Sequence, residues 1–504
     1  MFLRKKKNKS GIISVQVIDK SSGKYKVIKT IGSSREISEI DVLVNKGKKW
    51  IQHYNGQQVI DFSSPDYIDN ILNNIKEINI AGISLLLGKI YDEIGFNKID
   101  RDILKHLSIV KISHPASKLK TTEYLRRYYS KEINEDKIYR YLDHIYINQT
   151  EQIQKISYQH TLKILNGVIS VVFYDVTTLY FQIDNEDTIR KRGFSKEGRH
   201  QNPQIILGLL VSIDGYPLAY DIYQGNKYEG HTMLPVIDRF KSKFKLNELV
   251  VIADSGLLSS KNIEELQQKG YKFILGARIK NESQNIKEKI LSLKLINGQS
   301  AIIEKQNNLK LIVSHSAKRA KKDQYNRERG LLRLEKQLKS GKLTKSNINN
   351  RGYNKFLKMD GEIKVSIDKK KIELDNLWDG LKGYITNTDF TKDEIIDNYA
   401  HLWKIEKAFR ISKHDLKIRP IYHRLQRRIE AHITINFIAY KIYKELERQL
   451  KEKKSYLSAQ KAIDIAKTIY AISVEDISQN KVKQKVILLN SQSLTTIQNT
   501  VYQQ

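Results

Sequence analysis

Three acidic residues occupy positions where the surrounding pattern makes an acid costly. Asp175 lies inside the predicted strand VISVVFYDVTTLYF, and Asp254 ends the apolar strand ELVVIAD. Glu406 falls in a late predicted helix, on the stripe that should face the core. Acids are depleted in strands and are seldom buried unless they are paired or bind a metal ion. The three positions therefore suggest a shared chemical role.

Each acid alone also has an ordinary structural explanation. A hydrogen bond at the edge of a ladder would account for Asp175, a capped turn for Asp254, and an ion pair with Arg410 for Glu406. Together, three carboxylates offer the hard oxygen ligands that suit Mg²⁺ or Mn²⁺. Two such ions about 3.5–4 Å apart can activate a nucleophile and stabilise the leaving oxygen of a phosphoryl transfer. We therefore predict a site for two Mg²⁺ or Mn²⁺ ions.

The helix that carries Glu406 is predicted to run from Thr391 to Arg419, since this stretch contains neither Gly nor Pro. Thr391 and Glu394 have the spacing of a capping box at its start. Trp403 flanks the inner stripe, and the pattern favours a core position for it over stacking on an unpaired base. Steps of three and four residues define the stripe that is predicted to face the core. Its members are Ile395, Tyr399, Leu402, Glu406, Phe409 and Lys413.

The elements around the acids predict an α/β fold with a mixed sheet and flanking helices. From Gly167 onward, three strands surround the turn Asp214-Gly215, and helix and strand then alternate. The short apolar strand 248–253 should be buried on both faces. In open α/β sheets, ligands gather outside the carboxyl ends of the strands, where Asp254 lies.

Changes of pattern divide the chain into five predicted regions. The N-terminal one combines a β-hairpin at residues 11–31 with mainly helical sequence, and it is either DNA-binding or purely structural. The third region, 281–385, is β-rich and carries a basic segment. This segment is either a solvated face or a contact surface for a nucleic-acid backbone. The regions are 1–165 (N-terminal), 166–280 (first part of the core, with the first two acids), 281–385 (insertion subdomain), 386–450 (second part of the core, with the third acid) and 451–504 (C-terminal, helical).

The chain is strongly basic: 88 Lys and Arg face 56 Asp and Glu among its 504 residues, a net charge of +32. This charge favours a polyanionic partner, nucleic acid first, although a merely Lys-rich composition would also produce it. The chain has no Cys, which excludes thiolate zinc sites and a Cys nucleophile and fits a reducing compartment. Because no signal peptide or membrane-length apolar run is present, we expect a cytoplasmic protein with no membrane partner.

With their flanking residues, the acids resemble those of the DDE transposases of bacterial insertion sequences, in the group with a Tyr–Arg–Glu–Lys signature helix. In that signature two residues separate Tyr from Arg, three separate Arg from Glu, and six separate Glu from Lys. Tyr399, Glu406 and Lys413 have this spacing, whereas Leu402 stands at the Arg position. The stretches YDVTTLYF and VIADSGLLS also resemble one branch of the group, and the likeness covers about residues 100–450.

The resemblance implies an RNase H-like core, interrupted by an insertion between the second and third acids. It also implies double-stranded DNA as the partner at transposon ends and target. The chain would cut at terminal inverted repeats and join the freed 3′-hydroxyl to the target, as a homodimer or a higher assembly on DNA. The catalytic metal ligands would be Asp175, Asp254 and Glu406.

For the DNA contacts, the hypothesis is that Tyr399, Arg410 and Lys413 hold phosphates of the transposon end. Arg suits bidentate phosphate contacts and Lys acts as a point charge. Arg410 lies one turn beyond Glu406 and is a candidate replacement for the signature Arg.

Two rival functions fit the same residues. One is a metal-dependent nuclease that cuts DNA without joining it. The other is a transposase-derived DNA-binding protein without catalysis, against which the intact set of acids argues.

Overall fold

The computed structural model describes residues 1–21, 23–54, 72–99, 102–195, 198–246, 249–349, 351–360, 364–476 and 481–488. The chain forms two compact units, one of residues 1–78 with 472–485 and one of residues 79–471 with the remaining C-terminal residues. The strands are β1 (Phe2–Lys7), β2 (Ile13–Asp19), β3 (Lys26–Ser34), β4 (Ile75–Ile80), β5 (Val171–Tyr180), β6 (Gln204–Ser212), β7 (Pro217–Gln224), β8 (Val250–Ala253), β9 (Lys272–Ala277), β10 (Ser300–Glu304), β11 (Lys310–His315), β12 (Leu357–Asp360), β13 (Lys364–Ile367), β14 (Leu381–Thr386), β15 (Ile469–Asp476) and β16 (Lys481–Leu488). The helices are α1 (Ile37–Tyr54), α2 (Lys89–Ile94), α3 (Asp102–Ser113), α4 (Lys118–Tyr129), α5 (Glu135–His144), α6 (Thr150–Ile164), α7 (Met233–Phe244), α8 (Ser260–Gln268), α9 (Gln284–Ser292), α10 (Ala317–Lys339), α11 (Lys369–Asn376), α12 (Lys392–Ala400), α13 (Trp403–Arg410), α14 (Gln426–Glu452) and α15 (Ala459–Ala466).

In the smaller unit, β1, β2 and β3 form an antiparallel sheet beside α1. The hairpin predicted at residues 11–31 is confirmed, because β2 and β3 pair from Asp19 opposite Lys26. The prediction of a helical C-terminal region at 451–504 is wrong for β15 and β16, which pair in a sheet with β4. The alternating sequence KVKQKVIL of β16 has the period of a strand. Residues 489–504 lie outside the described part.

The larger unit is built on an eight-stranded sheet with the order β10-β11-β14-β9-β8-β5-β6-β7. Strands β5, β6 and β7 are antiparallel, whereas β8 runs parallel to β5 and β9 runs parallel to β8. This arrangement confirms the predicted mixed α/β sheet. Apolar side chains of β5 and β8 enter separate cores on the two faces of the sheet, so both strands are buried between layers.

The helices α3, α5 and α6 pack against the long helix α14, within the core that also covers one face of the sheet. Most of the predicted helical N-terminal region thus lies in the same compact unit as the sheet. Helix α14 is buried along much of its length, from Ile429 to Leu450. Helix α13 contacts β5 of the same sheet.

The predicted insertion divides into two parts. Strands β10, β11 and β14 extend the main sheet, because β14 pairs with β9 and β11 is apolar enough to lie inside the sheet. The hairpin of β12 and β13 instead packs with α10 around a small core of its own that includes Leu334, Phe356 and Val365. Among the described residues of the insertion, only this second part has a core that is separate from the sheet.

The prediction of a single helix from Thr391 to Arg419 is wrong. In the structure this segment is broken at His401 and Leu402 into α12 and α13, and a wider π-helical turn follows at Ile411–Asp415. The break rotates the second helix, so that Ile405 and Ala408 join Ile395 and Tyr399 in the core. On one straight helix, Ile405 and Ala408 would face a different direction from Ile395 and Tyr399.

Among the described residues, no helix is both long and apolar enough to cross a lipid bilayer.

Helix α12 provides a direct test of the capping box. The Thr391 side chain accepts a hydrogen bond from the Glu394 backbone N–H, and the Glu394 carboxylate accepts one from the Thr391 N–H. We expect Thr391→Ala to lower the free energy of unfolding by about 1 kcal/mol, because an N-terminal N–H loses its acceptor. Urea denaturation measures the change. Thr391→Ser, which keeps the hydroxyl, should stay near the wild type, and an equal loss in both variants would contradict the assignment.

Candidate active site

Asp175 and Asp254 lie side by side because of the register between β5 and β8. The two strands run parallel, with Val171 opposite Val250 and Tyr174 opposite Ala253. The residue that follows each of Tyr174 and Ala253 is an acid, and neighbouring strands are about 4.8 Å apart. The register thus brings together two acids that are 79 positions apart in the chain.

Both acids face the same side of the sheet. Side chains alternate along a strand, and Phe173 and Ile252 enter one core, whereas Tyr174 and Ala253 enter the other. Asp175 and Asp254 therefore project on the side of Phe173 and Ile252. Helices α12 and α13 cover this side.

The two carboxylates have matching local hydrogen bonds. In each, Oδ1 accepts the backbone N–H of the next residue at 2.7 Å, from Val176 and from Ser255. Asp254 is exposed and Asp175 is half-buried. The Tyr399 hydroxyl donates a further hydrogen bond of 3.3 Å to Oδ1 of Asp254, so a side chain of α12 contacts that carboxylate.

Glu406 lies on α13, which contacts β5. The expectation that Glu406 sits in the middle of a core-facing stripe is wrong, since its side chain is exposed while Ile405 and Phe409 point inward. The helix break causes this rotation. Among the described residues, no ion pair joins Glu406 to Arg410, so the ordinary explanation for this acid is not realised either.

The Asp254 and Glu406 carboxylates both influence the Tyr399 phenol. Burial raises the pKa of Tyr399, and the Asp254 and Glu406 carboxylates raise it further. The phenol consequently stays protonated and remains a hydrogen-bond donor to Asp254 at physiological pH. Both acids thus act on one side chain of α12.

Lys382 on β14 is a site residue that the sequence did not reveal. Its ammonium lies 4.4 Å from the ring centroid of Tyr399. Burial and Arg319 lower the pKa of Lys382, while the Asp254 and Glu406 carboxylates oppose this shift. One half-buried cation therefore lies in the field of two of the acids. A lysine in a Lys-rich chain carries no distinguishing signal.

The other predicted contact residues differ in accessibility. Arg410 is exposed at the end of α13, and Lys413 is half-buried in the following turn, whereas Tyr399 is buried beneath Asp254. Leu402, at the place of the signature Arg, is buried in the break between α12 and α13. The core position favoured for Trp403 is wrong, because 53% of its side chain is exposed.

The acids fit a divalent cation through the chemistry of their donors. Within the described part of the chain, no three His, Asp or Glu side chains already converge into a metal cluster. However, Asp175 and Asp254 are neighbours on one face, and Oδ2 of Asp254 accepts no hydrogen bond from the described residues. Carboxylate oxygens that are not saturated by protein donors are the ligands that Mg²⁺ and Mn²⁺ prefer.

Comparison with known proteins identifies a family, and the similar solved structures include two transposase complexes. The family model described as Transposase DDE domain matches residues 166–442, more than half of the chain and all three acids. A piggyBac transposase synaptic complex with hairpin DNA is 9% identical, with 80% of this chain and 79% of that chain covered and a TM-score of 0.39. A Mos1 transposase paired-end complex with the left transposon end is 13% identical, with 46% and 66% covered and a TM-score of 0.16. No curated protein matches.

Gly276 on β9 tests the contact between Tyr399 and Asp254. A Cβ atom at this position would lie 2.4 Å from the Tyr399 hydroxyl and 3.0 Å from the Ser255 nitrogen. We expect Gly276→Ala to cost about 1–3 kcal/mol of stability through overpacking, and Tyr399→Phe to cost about 1 kcal/mol through the lost hydrogen bond.

The double variant Gly276→Ala/Tyr399→Phe should lose less than the sum of the two, because the hydroxyl that the new methyl group meets is gone. Chemical denaturation of the four proteins measures this coupling. Strict additivity would show that Tyr399 does not lie against β9.

Proposed function

Because the chain belongs to the family described as Transposase DDE domain, we propose that it is the DNA transposase of a bacterial insertion sequence. It binds the terminal inverted repeats, cuts at the ends and joins the 3′-hydroxyl to target DNA. The observation that carries this proposal is the register of β5 and β8, which makes Asp175 and Asp254 neighbours on the face against which α13 packs. The group with the Tyr–Arg–Glu–Lys signature is the proposed subfamily.

In this proposal, Asp175, Asp254 and Glu406 are the ligands of two Mg²⁺ ions, for which Mn²⁺ can substitute. When bound, such ions activate the attacking oxygen and stabilise the leaving oxygen of an in-line displacement. Tyr399 orients Asp254 through its hydroxyl. The exposure of Glu406 leaves this acid accessible to ions that arrive with the DNA.

Positive charge around the acids holds the DNA backbone in this proposal. Lys382, Arg410 and Lys413 lie on the elements next to the acids and are the candidate phosphate contacts. The net charge of +32 favours association with double-stranded DNA at the transposon ends and the target. We further propose a homodimer or a higher assembly on paired ends, and a cytoplasmic location.

The division of labour along the chain is also a proposal. Residues 166–280 and 386–450 form the two parts of the catalytic core, and 281–385 form the insertion between them. Residues 1–165 are assigned to DNA binding. Within the insertion, α10 presents a dense row of Lys and Arg that suits contact with a DNA backbone.

Labelled end DNA with Mg²⁺ distinguishes this function from its two rivals. A transposase yields joined products, a nuclease yields cut products only, and a silent DNA-binding protein yields a complex without reaction. Joined products are expected.

The three acids should be individually essential. We expect Asp175→Ala, Asp254→Ala and Glu406→Ala each to lower the cleavage rate by about 1,000-fold or more, because several kcal/mol of charge stabilisation is lost. DNA affinity in a gel-shift assay should change little. Glu264→Ala is the control, since Glu264 is exposed on α8, which packs on the opposite face of the sheet.

A cysteine at position 254 tests metal ligation separately from acid–base chemistry. Asp254→Cys should be inactive in Mg²⁺ and partly restored in Mn²⁺, because a thiolate accepts the softer ion more readily.

Near-native cleavage by any alanine variant would remove that residue from the ligand set.

Lys382 should weaken metal binding in the absence of DNA, because its charge repels the cation that the carboxylates attract. We expect Lys382→Met to tighten Mn²⁺ binding by about tenfold, or ~1.4 kcal/mol, as a nearby like charge is removed. Electron paramagnetic resonance of free Mn²⁺ measures the affinity. Lys392→Met, on the exposed start of α12, should leave it unchanged, and weaker binding by Lys382→Met would contradict the expected role.

A further inference from the structure

A cavity of about 560 Å³ lies away from the three acids, between the start of α4 and the loop that leads into α14. Its wall includes Lys111 from α3, Lys118 from α4, and His423 and His432 from the loop and α14. These elements all belong to the larger unit. We call this space the α4 cavity.

Lys118 is buried without a counterion. Only 8% of its surface is exposed, and its ammonium forms no ion pair or hydrogen bond with the described residues. Burial lowers the pKa of Lys118 to about 8. A buried cation costs free energy unless it is paired, so this residue is expected to have a partner that the chain does not supply.

The surroundings of Lys118 add positive charge. Lys111 is also buried, and its ammonium donates a hydrogen bond of 3.0 Å to the Lys417 carbonyl. Burial, Lys118 and Lys417 lower the pKa of Lys111 to about 7. Lys417 and Arg419 line the same cavity.

The two histidines face these lysines as neutral rings. Burial and the nearby Lys118 lower the pKa of His423 to about 3. His432 contacts the Ile418 carbonyl through Nε2 at 3.0 Å, and its buried Nδ1 has no hydrogen-bond partner among the described residues. The rings thus supply polar atoms to the cavity without adding charge.

Acidic groups do not balance the lysines. Among the described residues that line the cavity, the only acid is Glu135, whose Oε1 accepts the Tyr139 hydroxyl at 2.5 Å. Asp143, which also acts on His423, is bound by Arg427 and Arg428. The α4 cavity therefore keeps a net positive charge.

The first turn of α4 faces the same space. Ser117 caps this helix of 12 residues, and its first turn contains no acid. Backbone N–H groups and the helix dipole at such a terminus favour an anion. Together with the unpaired Lys118, this geometry suits a tetrahedral oxyanion.

One residue of the cavity wall, Arg419, contacts the end of the strand that carries Asp175. The Arg419 guanidinium lies 4.9 Å from the ring centroid of Tyr180, which ends β5. Tyr180 is five residues beyond Asp175, or about 16 Å along an extended strand. This span corresponds to a few nucleotides of DNA.

We propose that the α4 cavity binds a phosphate group of the DNA strand, with Lys118 as its central cation. This inference rests on the proposed function, because a DNA phosphodiester and free inorganic phosphate share the chemistry that the cavity recognises. The experiment must therefore separate the two sources.

The test compares the wild type with Lys118→Met, which keeps the apolar stem and removes the charge. The control is Lys261→Met, which removes an exposed charge near the start of α8 on the opposite face of the sheet. Lys111→Met is a second variant for the same cavity. Circular dichroism confirms that each protein is folded.

With end DNA, Lys118→Met should bind several-fold more weakly than the wild type at low salt. The slope of log affinity against log salt should fall by about one, since one phosphate contact is lost. Without DNA, inorganic phosphate should raise the thermal midpoint of the wild type and of Lys261→Met but not of Lys118→Met. In chloride alone, Lys118→Met should melt at or above the wild-type temperature, because an uncompensated buried charge is gone.

Three results would overturn the proposal. If Lys118→Met has the same salt slope as the wild type and phosphate does not stabilise the wild type, Lys118 is merely structural. A lower melting temperature of Lys118→Met than of the wild type in chloride leads to the same conclusion. If Lys118→Met keeps the wild-type salt slope but phosphate stabilises only the wild type and Lys261→Met, the cavity is a free-phosphate site. This result removes the DNA assignment. If the wild type binds no DNA at all, the proposed function fails, and the phosphate measurements still decide whether the cavity binds an anion.

Discussion

The parallel pairing of β5 with β8 is the constraint on which the candidate active site depends. Both strands are apolar on both faces, and their side chains enter two separate cores. A slip of one residue would exchange these cores and turn one acid to the other face. Burial therefore fixes the register, and the register makes Asp175 and Asp254 neighbours.

The break between α12 and α13 is the second requirement. It lets Tyr399 reach Asp254 from the core while Glu406 stays at the surface. A buried Glu406 would cost free energy in the absence of metal. An exposed Glu406 avoids that cost and remains accessible to an incoming ion and a DNA strand, as the proposed function requires.

Local sequence patterns predicted much of this arrangement. The β-branched and aromatic stretch around Asp175 is a strand, Asp254 does follow a buried strand, and Thr391 does cap a helix. Each of these features depends on neighbours within a few residues. The identity of the three acids as a set came from their motifs, and their role as ligands stays a prediction.

Features that depend on distant contacts could not be predicted. No Gly or Pro marks the break at His401, because it arises where two helices turn their apolar faces to one core. Lys382 becomes a site residue only because β14 pairs with β9, more than 100 positions earlier in the chain. Lys118 similarly looks like any lysine at a helix start until α3 and the loop before α14 enclose it.

The most direct test of the central claim is the location of Mn²⁺ by anomalous X-ray scattering in crystals of the protein with end DNA. The account predicts anomalous peaks that are coordinated by carboxylate oxygens of Asp175, Asp254 and Glu406, next to a DNA phosphate. Peaks held by other side chains, or a coordination shell that omits Glu406, would contradict it.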